Sequence, residues 1–284
     1  MSDKIQRFIF DTHGIRGELV KLTDSIQRML LNHNYPEVVA SLLQQAAAVN
    51  VLLATTLKFE GKISLQLQSN DKIKMLVVQT THKLGYRGLV RYNKEADFSH
   101  ESFHTLVKDG QLSITIEPLK GKRYQGIVPL DGNNLAECIE NYFNQSEQLK
   151  TRIWLFNDNQ QVFGLLLQAL PDMLSEDSFD HLIYLASTLT AEECLSVDSD
   201  IIMHRLFHQE SIRGLTTDAV EFTCGCSEKK MLDSISLLPA NELKEILETR
   251  GSLSVKCEFC LNQFSFDELA IKSHQSIQGN RTQH

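Results

Sequence analysis

The last sixty or so residues set the tightest constraint on the chain. EFTCGCSEKK (221–230) and VKCEFCLNQF (255–264) hold Cys224, Cys226, Cys257 and Cys260, four of the six cysteines. They form a C-x-C pair, a gap of thirty residues, and a C-x-x-C pair. Residues 224–284 are too few to bury a self-sufficient core, and a unit of that size needs a staple. Two close thiol pairs can supply it, because tetrahedral Zn²⁺ takes four Cys thiolates at about 2.3 Å. The gap contains no competing Cys or His. We therefore read one Zn²⁺ per chain, held by Cys224, Cys226, Cys257 and Cys260, with Phe264 packed under the metal.

The rest of this unit reads as short elements around that staple. Ser227 is placed to cap a helix carrying Met231, Leu232 and Ile235. A second helix runs from Pro239 to Arg250, with Gly251 just past its end, where the left-handed conformation favours glycine. LSVKC reads as a strand leading into the second pair, and Asp267 caps a short last helix, DELAIKSH.

The remainder divides in two. In residues 1–171, KISLQLQ (62–68) and QLSITIEP (111–118) alternate apolar and polar positions as half-buried strands do. PEVVASLLQQAAAVNVLLATTL (36–57) is too long and Ala/Leu-rich for a strand and starts with proline, as helices tolerate. LAECIENYFNQSEQL (135–149) puts Leu135, Cys138, Ile139, Tyr142 and Phe143 on one helical face. Strands and helices do not alternate regularly, so the fold class is α+β: an N-terminal mixed strand/helix core domain, a helical acidic linker, and a small C-terminal four-Cys zinc-binding domain.

Residues 172–223 read as the linker. Phe179, Leu182, Ile183, Ala186 and Leu189 form one helical stripe, Thr190 to Glu193 a capping box, and Ile201, Ile202, Leu206 and Phe207 a further stripe. The net charge of −8 is concentrated here: the three regions carry +2, −9 and −1. Such self-repulsion opposes compaction, and the segment reads as metastable. An acidic chain also repels phosphates, which argues against nucleic acid as a partner. No uninterrupted apolar run approaches the ~20 residues of a membrane span. VFGLLL (162–167) is among the longest. The N-terminus reads as no signal peptide, so the expected compartment is the cytoplasm, where paired thiols bind metal or do redox work more often than they form structural disulfides.

Zinc holds sulfur as thiolate, the form an oxidant attacks. Neighbouring thiols in C-x-x-C, and with more strain in C-x-C, can join locally; oxidation would remove the ligands, release the ion and melt the unit. Other candidates carry less chemistry. Cys138 reads as a core residue, and Cys194 follows two glutamates that would raise its pKa. His204 and His208 stand at i, i+4, but HRLFH has arginine where a zincin motif has glutamate. Gly14 and Gly17 lack a phosphate-loop context. There is no catalytic constellation, and the reading is that the chain is not an enzyme.

The cysteine pattern, together with FIFDTHGIRGELV (8–20), TLKFEGKISLQLQ (56–68), RYQGIVPL (123–130) and YFNQSEQLKTRIWL (142–155), resembles the redox-regulated heat-shock chaperones known as 33-kDa chaperonins, over nearly the whole chain. Lys150 departs from the proline often found after SEQL. The resemblance implies an ATP-independent holdase, inactive while reduced and zinc-bound. Under oxidative stress it implies pairing of Cys224 with Cys226 and of Cys257 with Cys260, zinc release, unfolding of the C-terminal unit, and capture of unfolded client proteins by a homodimer. Two other uses of the same thiols stand beside it: a constitutive zinc-ribbon binding module, which would want a basic surface, and a thiol oxidoreductase, which would turn over a dithiol substrate.

Overall fold

The computed structural model describes residues 3–11, 13–56, 60–99, 101–170 and 176–281. Leu57 of the predicted helix, positions 57–59 of the TLKFEGKISLQLQ segment, Thr12, the first residues of the middle segment (172–175) and the last three of the chain lie outside the described residues. The chain forms two compact units, Met1–Thr223 and Cys224–His284.

The first unit is built on two sheets. In one, β1 (Lys4–Phe10) and β2 (Ile15–Leu22) form an antiparallel hairpin whose turn passes through Gly14 at φ 53. With β8 (Thr151–Asn157), β9 (Val162–Ala169) and β10 (Ile212–Ala219) the order is β10-β1-β2-β9-β8. The other contains β3 (Gly61–Gln68), β4 (Ile73–Thr81), β5 (Gly85–Tyr92), β6 (Gln111–Pro118), β7 (Tyr124–Val128) and the short β11 (Glu221–Phe222), in the order β11-β5-β4-β3-β6-β7. KISLQLQ and QLSITIEP are adjacent antiparallel strands in it, with Leu65 opposite Ile114. Residues 212–222 thus cover one edge of each sheet, through β10 against β1 and β11 against β5.

Four helices accompany these strands: α1 (Asp24–Leu30), α2 (Glu37–Thr56), α3 (Phe103–Leu106) and α4 (Leu135–Ser146). Helix α2 packs on strands of both sheets, which is why Ala and Leu surround it: between Leu42 and Leu53 only Gln45 is less than buried. It is long and apolar enough to cross a membrane, yet its apolar surface is spent on the core. Helix α4 buries Leu135, Cys138, Ile139 and Tyr142, as its periodicity predicts, but stops at Ser146. That is three residues short of the predicted end, and Gln148, at φ 56, turns the chain toward β8.

The continuous run VFGLLL lies in β9, a strand buried on both faces. Val162 and Leu166 join the cluster around α2; Phe163, Leu165 and Leu167 join Phe8, Phe10, Ile15 and Leu19 on the opposite face. That opposite face is covered by α5 (Glu176–Ala186), α6 (Ala191–Ser196) and α7 (Ser199–Phe207). Phe179, Leu182, Ala186 and Leu189 are buried there, with Ile183 partly so. Thr190 caps α6 by accepting from the backbone N–H of Glu193. Phe207 wedges its ring 4.9 Å from that of Phe10 and 6.1 Å from that of Phe8.

Two expectations for this segment are corrected. Ile201 is 49% exposed, and Met203 takes its place in the buried stripe beside Ile202, Leu206 and Phe207. The segment is also not helical throughout, since residues 212–219 are the strand β10. IRGLTTDA has β-branched Ile212, Thr216 and Thr217, and as an edge strand with little burial it lacks the alternation that marks half-buried strands. The acidic charges find cations on the first two strands. Lys4 Nζ lies 2.9 Å from Asp200, and Lys21 Nζ donates to the carbonyls of Leu195 and Val197 at 2.9 Å each. Glu210 bridges His13 at 3.0 Å and His181 at 2.9 Å.

The second unit contains α8 (Glu228–Ile235), α9 (Ala240–Arg250), the hairpin of β12 (Ser252–Lys256) and β13 (Gln263–Asp267), and α10 (Glu268–Arg281). The punctuation follows the sequence. Ser227 accepts from Lys230 N–H, Gly251 ends α9 at φ 71, and Asp267 accepts from Ala270 N–H at 2.8 Å. The last helix is longer than predicted. The buried apolar cluster consists of Ile235, Leu243, Phe266 and Ile271, with a few half-buried neighbours.

Candidate metal centre

The C-x-C pair lies on the stretch between Phe222 and Ser227, and the C-x-x-C pair on the connection between β12 and β13. That connection is a tight knuckle. Cys257 N–H donates to Asn262 O at 2.9 Å, and Leu261 N–H returns to Cys257 O at 2.8 Å. Leu261 takes φ 60, a left-handed conformation rare outside glycine and asparagine, so the hairpin holds the loop in a strained turn. On the other side, Ser227 starts α8 directly after Cys226, and Lys230 reaches back from the first turn of α8 to donate to Gly225 O. Asp233 on α8 and His274 on α10 are 2.7 Å apart and tie those helices together.

These elements bring all four Sγ atoms within 4.8 Å of one another. Cys224 and Cys257 are 3.6 Å apart, Cys226 and Cys260 3.5 Å, and all four are free thiols. Four ligands at about 2.3 Å from a tetrahedral ion are separated by about 3.8 Å, so the spacing fits one thiolate-bound metal. Cys257 is buried and the other three are half-buried. Among the described residues this is the one group of three or more His, Cys, Asp or Glu side chains arranged to hold an ion.

Without a metal, the thiols are unevenly disposed to ionise. Burial pushes Cys224 and Cys226 up, and for Cys226 the neighbouring sulfurs add to the effect. Burial also works against Cys257, but hydrogen bonds from the backbone N–H groups of Cys260 and Phe259, together with those from the Cys224 and Cys260 thiols, lower its pKa overall. The amides of the knuckle and the Lys230 strut are parts of the site that cysteine spacing does not reveal. The closest sequence signal is the short x-x of C-x-x-C, which obliges the following backbone to turn back over the sulfur.

Phe264 lies on β13 and packs, half-buried, against the small apolar cluster. The other two cysteines belong to the first unit. Cys138 is fully buried and its sulfur meets Gly132 N–H at 3.4 Å. Cys194 is fully buried, and its pKa is pushed up to about 12, chiefly by burial and only secondarily by Glu193. His204 and His208 stack at the surface with ring centroids 5.5 Å apart, and His208 Nδ1 lies 3.1 Å from the carbonyl of His204.

By fold and site, the molecule is an α+β body of two largely antiparallel sheets joined to a small four-thiol metal-binding module. The family model described as Hsp33 protein matches residues 3–267. Proteins named 33 kDa chaperonin are similar along most of the chain. That of Pseudomonas paraeruginosa is 42% identical over 273 residues, covering 94% of this chain and 92% of its own. That of Hahella chejuensis is 41% identical, covering 95% and 96%. The chain belongs to the Hsp33 family. A crystal structure of the 33 kDa chaperonin from Thermotoga maritima shares the fold, with a TM-score of 0.85 at 18% identity, covering 99% of this chain and all of that one.

Proposed function

We propose that the chain is an ATP-independent holdase, switched on by oxidation and acting in the cytoplasm on unfolding proteins. The observation that carries the proposal is the convergence of four free thiols within 4.8 Å in a unit whose buried apolar cluster, among the described residues, consists of Ile235, Leu243, Phe266 and Ile271. In the resting state Cys224, Cys226, Cys257 and Cys260 hold one Zn²⁺, which supplies most of the free energy that keeps the unit folded. An oxidant such as peroxide takes two electrons from each pair as two thiolates become one disulfide, and leaves as water. Sulfur in a disulfide is a poor ligand, so the metal departs and residues 224–284 unfold.

Residues 172–223 then act as a metastable linker. Its helices are anchored by the face carrying Phe8, Phe10, Ile15 and Leu19, and by ion pairs that salt weakens. Release of the segment frees apolar surface on both partners for client chains, and the active form is a homodimer. Neither nucleic acid nor membrane is a partner in this reading, and no substrate is turned over.

The pairing in the oxidised form is Cys224 with Cys226 and Cys257 with Cys260. Peptide mapping of peroxide-treated protein checks this, since separations of 3.5–3.6 Å also cross between the pairs and could instead yield Cys224–Cys257 and Cys226–Cys260. The main test is suppression of aggregation of a chemically unfolded client. Reduced, zinc-loaded protein should be inert, and protein treated with peroxide at raised temperature should suppress aggregation until a dithiol reverses it. Equal suppression in both states would leave the metal as a permanent staple and favour a constitutive binding module.

A further inference from the structure

The first unit holds a partly open cavity of about 380 Å³ between its two sheets, beside the C-terminal end of α2 and under α4. Its walls are largely aliphatic and aromatic, including Leu53, Ile114, Ile116, Phe143 and Leu149. One cation lines it. Arg16 projects from β2 on the α2 side, where Nη1 donates to Thr56 O at 3.3 Å and Nη2 to Gln168. Both acceptors are neutral, and Arg16 forms no ion pair among the described residues. Glu18, two positions along the same face, is fully enclosed, hydrogen-bonds Thr55 and lies beyond ion-pair distance of Arg16. Glu147 also lines the cavity, but it accepts from the hydroxyls of Tyr124 at 3.0 Å and Tyr142 at 2.8 Å and makes no ion pair with Arg16.

Charges withdrawn from water are normally paired, because desolvation otherwise goes uncompensated. Arg16 feels the buried Glu18 only at longer range. An apolar cavity of ligand size with one guanidinium in its wall that no carboxylate contacts directly suits a compound that is apolar along its body and anionic at one end. Guanidinium prefers carboxylate, whose two oxygens match its fork. The carboxylate of Glu147 in the same wall disfavours a second negative charge on the ligand. We infer that this cavity is a binding site for an amphipathic monocarboxylic acid, with the carboxylate on Arg16 and the hydrocarbon body against Leu53, Ile114, Ile116 and Phe143. The site is separate from the thiol centre, and the inference stands or falls independently of the redox switch.

The test is calorimetric titration of the full-length, reduced, zinc-loaded protein with decanoate, against decanol and decanedioate at the same chain length. Saturable binding of one decanoate per chain is expected, with decanol and decanedioate each at least tenfold weaker. Arg16→Gln should weaken decanoate at least tenfold and leave decanol unchanged, since one charged hydrogen bond is worth about 1.5–3 kcal/mol. Ile116→Trp, which narrows the aliphatic part of the cavity and leaves Arg16 in place, should weaken both. Thermal melts of each variant establish that it is folded. Absence of saturable decanoate binding to the wild-type chain overturns the inference. So does equal affinity for decanol and decanoate, or a folded Arg16→Gln or Ile116→Trp protein that binds decanoate like wild type.

Discussion

The two units of this molecule are stabilised by different means. The first surrounds a twenty-residue helix with two sheets and buries a second layer of Phe, Leu and Ile on the far side of one of them. The second buries Ile235, Leu243, Phe266 and Ile271, and sets four sulfurs where a metal would complete it. Hydrophobic burial is insensitive to oxidants, whereas thiolate ligation is abolished by them. With the two kinds of stability in separate units, loss of the thiol cluster's contribution need not cost the first unit its core.

The comparison can be broken most directly by removing the metal. A strong chelator should unfold residues 224–281 and leave the first unit protected, because thiolate–zinc binding contributes about 10–16 kcal/mol to folding in peptides of this size. Hydrogen exchange resolved by mass spectrometry reads both units in one experiment, and loss of protection in β3 or β4 would contradict the division. Within the first unit, Phe207→Ala should remove about 3–5 kcal/mol from the layer that α7 forms on the sheet, since the ring is 1% exposed and meets Phe8 and Phe10. Denaturant titration followed at Trp154, which packs against that cluster, would report it.

A smaller effect of opposite sign is expected at Glu18. Burial, opposed by the Thr55 hydrogen bond and by Arg16 and Arg7, pushes its carboxyl up to about 7. The unfolded chain ionises near 4.3, so the folded form binds the extra proton, and stability falls as pH rises from about 4.3 to 7 and is level above that. Glu18→Gln should therefore stabilise the first unit at pH 8, by on the order of 3 kcal/mol, and flatten the slope below pH 7. Melting temperatures of both proteins from pH 5 to 8 test this. The smallest effect is at Ser227, where alanine removes the cap of α8 and about 1 kcal/mol. Because folding of that unit is coupled to the metal, the loss should appear as a roughly fivefold weaker zinc affinity in a competition titration.

Much of this organisation is legible in the residues because local rules and final environment agree. KISLQLQ and QLSITIEP alternate and are strands. Ser227, Gly251 and Asp267 punctuate helices as their side chains or backbone freedom allow. Cys224, Cys226, Cys257 and Cys260 are visible as a set because two tight pairs in a coreless unit have few other uses. What escaped reading depends on neighbours distant in sequence. IRGLTTDA is a strand because β1 offers it a free edge, and nothing in its own pattern says so. Arg16 and Glu18 look like the wet face of an alternating strand until α2 is laid across them, since that face of the sheet is as covered as the other. Ile201 sits on the wrong side of a stripe by one residue, within the uncertainty of helical phase in a nine-residue segment.

The segment from Ile212 to Phe222 covers one edge of each sheet, and it is followed at once by Cys224. On the ribosome, β1 therefore waits for some two hundred further residues, and β5 for about 130, before each receives its last neighbour. Until then both sheets present open rims, the kind of surface that recruits strands from other nascent chains. The last pieces of the body emerge just ahead of Cys224 and Cys226, so the first thiol pair is synthesised only when both sheets are ready to close.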